Sequence, residues 1–206
     1  MTLFNAETFR RKAQGLVVEA DDFGHGDHVF NPDIIDRLRQ QKLREAAVLI
    51  PIVDRGDKAG LLLTRRTASM RQHSGQIAFP GGAVDAEDAS PEAAALREAF
   101  EEIGLEAGFI ETIGRLPPYL TTTGFRITPV ISLVQPDYAL TLNLEEVDAA
   151  FEVPFSFVMN PDNHRRESRV WEGKERFFYS MPFEDHYIWG VTAGILRALY
   201  ERLHLD

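Results

Sequence analysis

Apolar positions along the chain fall into two kinds of run. "AAVLIPIV" (46–53) is apolar throughout, the pattern of a strand covered on both faces. "DRGDKAG" (54–60) is turn chemistry, and "LLLTRR" (61–66) reads as the returning strand. "QIAFPGG" (76–82) is a short strand ending at a Pro-Gly-Gly break. "FIETIGRL" (109–116), "FRITPVISLV" (125–134) and "DAAFEVPF" (148–155) continue the strand series, and "SRVWEG" with "KERFFYSM" (168–181) reads as a hairpin.

Helical spacing appears elsewhere. Residues 5–15 and 32–45 predict helices ahead of the first clear strand, the second opened by Asn31 as cap and Pro32 in the first turn. "SPEAAALREAFEEIG" (90–104) carries a full set of signals: Ser90 to cap, Pro91 in the first turn, Gly104 to terminate. "YIWGVTAGILRALYERL" (187–203) predicts a closing helix with Ile188, Val191, Ile195, Leu199 and Leu203 on its apolar face. Strands in succession, with one helix inserted early and one late, predict an α+β fold: a mixed β-sheet packed between helices, an α/β/α sandwich. The division expected is an N-terminal helical extension over 1–44 and one domain over 45–206.

Composition narrows the function classes. The 206 residues are 44% hydrophobic, a globular composition with enough chain for one real core. Cysteine is absent, so disulfides, thiolate metal sites and cysteine nucleophiles are excluded. The first residues lack a signal-type apolar core, and no window approaches a membrane span, so a soluble cytoplasmic protein with no membrane partner is expected. A formal net charge of −10 argues against a broad nucleic-acid surface. It leaves room for a small anionic substrate where a metal or a local basic patch offsets the charge.

The unusual feature is "ALREAFEEIGL" (95–105). Residues three and four apart share a helix face, so Glu98, Glu101 and Glu102 converge on one side while Leu96, Ala99, Phe100 and Ile103 form a side that can be buried. Arg97 and Glu101, four apart, can pair. Glu98 and Glu102, one turn apart, have no local partner. Such like charges oppose the helix unless they form a solvated face or share a divalent cation, and hard carboxylate oxygens suit Mg²⁺ or Mn²⁺. The glycine turn just upstream lets backbone approach a ligand closely.

Taken together, Gly82 followed by "REAFEEIGL" (97–105) resembles the Nudix box: glycine, five residues, glutamate, seven residues, then Arg-Glu-apolar-any-Glu-Glu-any-Gly-apolar. The second half matches closely. In the first half Asp88 stands where glutamate is expected, and the gap from Gly82 to Arg97 is one residue longer. Upstream, "LLTRRTASMRQHSGQIAFPGG" (62–82) is similar to the signature of the coenzyme A pyrophosphatase branch, with Arg65 or Arg66, Arg71, Gly75, Phe79, Pro80, Gly81 and Gly82 in its slots.

This resemblance implies metal-dependent hydrolysis of the diphosphate of coenzyme A or its thioesters, giving 3′,5′-ADP and 4′-phosphopantetheine or its acyl form. The alternatives are another nucleoside diphosphate derivative (ADP-ribose, NADH, a dinucleoside polyphosphate) or a non-catalytic nucleotide-binding regulator. Glu98 and Glu102 are the implied metal ligands, with Glu101 secondary and Arg97 orienting them. Gly81 and Gly82 can offer backbone atoms to metal or substrate. "NLEEVDAAFEVP" (143–154) supplies Glu145, Glu146, Asp148 and Glu152 as candidate general bases, and Glu146 is favoured. Arg65, Arg66, Arg71 and His73 form the nearest basic cluster, suited to substrate phosphates. Phe79 reads as core; Phe125, Tyr187 and Trp189 are core or pocket wall. His164 and His186 are assigned no role. The chain is expected to act as a monomer or homodimer.

Overall fold

A computed structural model describes residues 5–13, 25–68 and 74–204. Helix α1 (Ala6–Ala13) leads to β1 (His25–Gly26), α2 (Ile35–Gln40), β2 (Arg44–Val53), β3 (Gly60–Arg66), β4 (Ile77–Ala78) and β5 (Gly81–Ala83). Then come α3 (Pro91–Ile103), β6 (Ile110–Arg115), β7 (Tyr119–Leu120), β8 (Phe125–Val134) and β9 (Val147–Pro154). The chain closes with α4 (Phe155–Val158), β10 (Arg165–Trp171), β11 (Lys174–Phe183), β12 (His186–Trp189) and α5 (Val191–His204). Among the described residues, nine strands form one mixed sheet, with β8 and β2 parallel at its centre, and β10, β11 and β12 form a second.

The all-apolar strands lie where both faces are covered. On β2, Ala47, Leu49 and Val53 face one layer, and Ile50 and Ile52 the other. The first layer is closed by Ala94, Ala95, Ala99 and Ile103 of α3. The second is closed by Ile195, Leu196 and Leu199 of α5 and by Phe9 of α1, which packs edge-on against Phe155 with ring centroids 5.2 Å apart. This is the α/β/α sandwich that the strand-and-helix order predicts.

Three expectations are corrected. The helix expected over 32–45 stops at Gln40, because Arg44 already pairs beside Phe125 as the start of β2. The closing helix begins at Val191, not 187: residues 186–189 form β12 against β11, with Ile188 opposite Met181. Helical spacing and strand alternation both fit that short apolar run, and the pairing with β11 decides it. The single strand expected over 76–82 is two short ones separated by Phe79 and Pro80.

The split between those two strands positions the site. β2 pairs with β3 only at Ile52 and Val53, and with β5 at Ala46, Ala47 and Val48. Between them the Pro80 carbonyl accepts from Leu49 N at 2.8 Å. Pro51, which has no N–H to give, falls in this gap in the ladder. The residues Phe79–Gly82 thereby cross the sheet at its centre, under α3.

The N-terminal segment is fastened to the body. Asn31 donates its amide to Phe177 O and accepts from Phe177 N, both at 3.1 Å, acting as a one-residue strand beside β11. Half-buried Asp27 accepts from Tyr119 Oη at 3.0 Å and Thr122 N at 2.8 Å, and desolvation holds its carboxyl above the usual range. Phe9→Ala is expected to cost about 3–5 kcal/mol in urea unfolding, the range for deleting a buried aromatic. A loss under about 1 kcal/mol would show that α1 is not part of the cooperative core.

Candidate active site

Helix α3 forms where its signals place it. Ser90 caps the start by accepting from Ala93 N at 3.2 Å, and Gly104 ends it at φ 69°. Its buried face comprises Ala94, Ala95, Ala99, Glu102 and Ile103. Phe100, expected on that face, is instead 57% exposed. The rotation follows from the small side chains: three alanines let α3 lie close to the sheet, and this turns Glu102 inward.

Glu102 is 2% exposed. One carboxylate oxygen accepts from Gly81 N at 3.1 Å and the other lies 3.4 Å from Arg66 Nη1. Burial pushes its carboxyl up to about 7, against the opposing pull of the Gly81 amide and Arg66; Glu98 and Glu146 push it further up. Glu98 is also raised by burial, with Arg97 opposing and Glu101 and Glu146 adding to the rise. A Cβ at Gly82 would come within 2.5 Å of the Glu98 carboxyl carbon, and one at Gly81 within 2.4 Å of Ala47 O. Gly81 is therefore a steric requirement of the backbone crossing, whereas a Cβ at Gly82 would push the Glu98 carboxylate aside.

Arg97 fixes the loop to the helix. It donates to both Asp88 oxygens (3.1 and 2.9 Å), to Glu98 (3.0 Å), to Glu101 (2.9 Å) and to Ala83 O (3.1 Å). Asp88, the shorter acid at the first-half position, thus reaches Arg97 in bidentate form. Glu101 sits on the exposed side of the helix and is held by Arg97.

Of the four loop acids, Glu146 is the one whose charge acts on Glu98 and Glu102. Glu152 is taken by Arg55 at 2.7 Å and by Tyr138 Oη at 2.7 Å. Asp148 is bound by Arg65 at 2.6 Å, and Glu145 lies in the exposed turn, its N–H donating to Asn143 Oδ1. Glu146 is positioned by Asn143, a residue with no sequence-level signal of that role. Asn143 N donates to Glu102 O at 2.9 Å, and Asn143 Nδ2 donates to Glu146 at 3.1 Å. With Thr141 N on Ile103 O at 2.9 Å, this loop satisfies carbonyls at the end of α3 and carries Glu146 to it. An Asn four residues before a strand gives little signal on its own. Arg66 joins the site, Arg65 turns to Asp148, and Arg71 and His73 lie outside the described residues. Phe79 is core; Tyr187 and Trp189 are on β12, and Phe125 lies under the Arg44 guanidinium at 4.0 Å.

Among the described residues no three acidic or histidine side chains converge into a ready cation cage. The donor chemistry nevertheless fits a hard divalent cation. Two carboxylates are held in a glycine cradle that a Cβ would fill, and both are raised by burial.

The family model described as NUDIX domain matches residues 43–179. A protein from Enterobacter sp. (strain 638), named Uncharacterized Nudix hydrolase NudL, is 42% identical over 183 residues, covering 87% of this chain and 92% of that protein. A protein of the same name from Escherichia coli (strain K12) is 44% identical over 156 residues, covering 76% and 81%. Among solved structures, DR0079 from Deinococcus radiodurans superposes with TM-score 0.51 at 16% identity, covering 78% of this chain and 85% of that one. A MutT/nudix family protein from Enterococcus faecalis gives TM-score 0.50 at 16% identity, covering 86% and 72%. The two structures show a shared fold.

Two outcomes test the cradle. In chelator, the Glu102 carboxyl titrates near 4.5 when unfolded and about 7 when folded. Its contribution to stability is complete below the lower value and is lost as pH rises through the upper one, about 3 kcal/mol in all. Urea unfolding with EDTA should show this decline, and Glu102→Gln should flatten it; an unchanged slope in the variant would exclude Glu102 as the titrating group. Gly82→Ala should displace the Glu98 carboxylate with little change in Tm while lowering kcat at least about tenfold, as expected when a cradled group is misplaced.

Proposed function

The chain belongs to the Nudix hydrolase family, and from that premise we propose that it hydrolyses the diphosphate bond of coenzyme A or its thioesters. As a Nudix hydrolase it is a pyrophosphohydrolase of nucleoside diphosphate derivatives, and enzymes of this family use divalent metal ions. The single observation that carries the site assignment is that Glu98 and Glu102 face the Gly81–Gly82 strand together, with the charge of Glu146 acting on both. The coenzyme A assignment rests on the sequence block from Leu62 to Gly82, with Arg65 or Arg66, Arg71, Gly75 and Phe-Pro-Gly-Gly in the slots of that branch.

In this reading Glu98 and Glu102 hold Mg²⁺ or Mn²⁺, with Glu101 as a secondary ligand. The ion, when bound, neutralises phosphoryl oxygens and lowers the pKa of water. The chain's own residues do the remaining work. Glu146 accepts the proton of the attacking water as its oxygen bonds to one phosphorus, and the P–O bond to the bridging oxygen breaks. That oxygen leaves with the other phosphate, so coenzyme A yields 3′,5′-ADP and 4′-phosphopantetheine. Arg66, beside Glu102 at the end of β3, meets substrate phosphate charge, Arg71 of the same sequence block is a further candidate for it, and Arg65 is held by Asp148. Arg97, tied to Asp88, holds Glu98 and Glu101 in orientation and is a positioning residue.

The test is a product assay by mass with coenzyme A, ADP-ribose and NADH in parallel, with Mg²⁺ or Mn²⁺. 4′-Phosphopantetheine should form from coenzyme A faster than either other substrate is cleaved, and not with Glu102→Gln. Cleavage of ADP-ribose or NADH alone would keep the site and discard the substrate. Glu146→Gln should lower kcat by at least about a hundredfold with the fold intact, the usual scale of a lost general base; a near-normal rate removes Glu146 from the mechanism.

A further inference from the structure

Strand β10 is the outer strand of the three-stranded sheet and is exposed along nearly its whole length, with Val170 70% and Trp171 64% exposed. Among the described residues no strand pairs with its other edge. The direction of its main-chain groups follows from β11. Phe177 N and O bond the Asn31 side chain, and Tyr179 O accepts from Gly190 N, so 177 and 179 face away from β10. Residues 176, 178 and 180 therefore face it, and their partners Arg169, Glu167 and Arg165 use their N–H and C=O groups inside the sheet. The tight turn at Glu172 and Gly173, both at positive φ, sets the same alternation from Trp171 and Lys174. Arg166, Ser168 and Val170 consequently direct their main-chain groups outward, a template for another strand.

We propose that β10 is self-complementary, and that two copies of this chain pair through it, antiparallel, about a twofold axis at Ser168. In that register each outward-facing residue meets another: Ser168 meets Ser168 of the second copy, and Arg166 meets its Val170. On the outer sheet face Glu167 stands opposite Arg169 of the second copy, and Arg165 opposite its Trp171. Apart from the Ser168 pair, which lies on the axis, each pair occurs twice by symmetry. Sliding by two residues preserves the hydrogen bonds but sets Glu167 against Glu167 in one direction and Arg169 against Arg169 in the other. Charge therefore selects the register centred on Ser168. The occupant is a second copy because residues 165–171 complement themselves, in main-chain pattern and in the Glu167–Arg169 charge pairs. A one-strand interface buries less than the ~1,200 Å² of a stable complex, so the dimer dissociates on dilution.

Sedimentation velocity of the full chain, from micromolar to millimolar concentration, tests this. The average mass should rise from 23.3 kDa toward twice that value. Ser168→Pro, tolerable at an edge whose N–H faces solvent, should abolish the rise. Glu167→Arg or Arg169→Glu alone should weaken association at least about tenfold, because each sets like charges face to face twice. The double variant Glu167→Arg/Arg169→Glu should restore it. Circular dichroism reports that each variant is folded. A chain that stays monomeric throughout, a dimer indifferent to Ser168→Pro, or a double variant as weak as the singles would each overturn the proposed pairing.

Discussion

Folding takes the Glu102 carboxylate out of water, and the rest of the site is arranged around that cost. A buried carboxylate costs several kcal/mol unless partners compensate it. Here compensation is partial: one backbone amide at 3.1 Å and one guanidinium at 3.4 Å. Glu98 and Glu146 add negative potential to the same volume. The negative field left over favours a cation over a further carboxylate in this volume, which is the physical basis of the proposed metal site.

Two fasteners hold that arrangement open to ligands. Arg97 ties Asp88, Glu98, Glu101 and the Ala83 carbonyl into one unit, so the loop after the glycine strand cannot drift from the helix. The segment from Thr141 to Glu146 docks on the last carbonyls of α3 and brings Glu146 from a different part of the chain. The first fastener acts within a short stretch of sequence. The second joins residues some forty apart, and depends on β9 pairing with β3.

The sheet supplies the floor. β2 meets β3 only at Ile52 and Val53, and ahead of Ile52 the gap admits Pro80 and the two glycines. On the opposite layer, α1 and the Asn31–Asp33 stretch close the core and brace the β10–β11 ribbon, with Asp33 ion-paired to Lys174 and Arg176. The ribbon projects outward with its edge strand exposed, which gives the fold a second surface that the catalytic chemistry does not use.

By itself, the sequence determined what is local or strongly periodic. The long apolar strands at 46–53 and 125–134, the capped helix at 90–104, its glutamates and the glycine turn are all written in contiguous residues, where propensity and capping act over one or two turns. Tertiary structure alone decided the rest. Residues 186–189 are a strand because β11 offers hydrogen bonds there, and Phe100 faces solvent because alanines seat α3 on its other side. Asp148 and Glu152 were separated from Glu146 by partners from other segments, Arg65 and Arg55, while the loop that carries Asn143 and Glu146 is set by its docking on the distant end of α3. Such partnerships between distant residues follow from sheet register and loop closure, which no short window of sequence encodes.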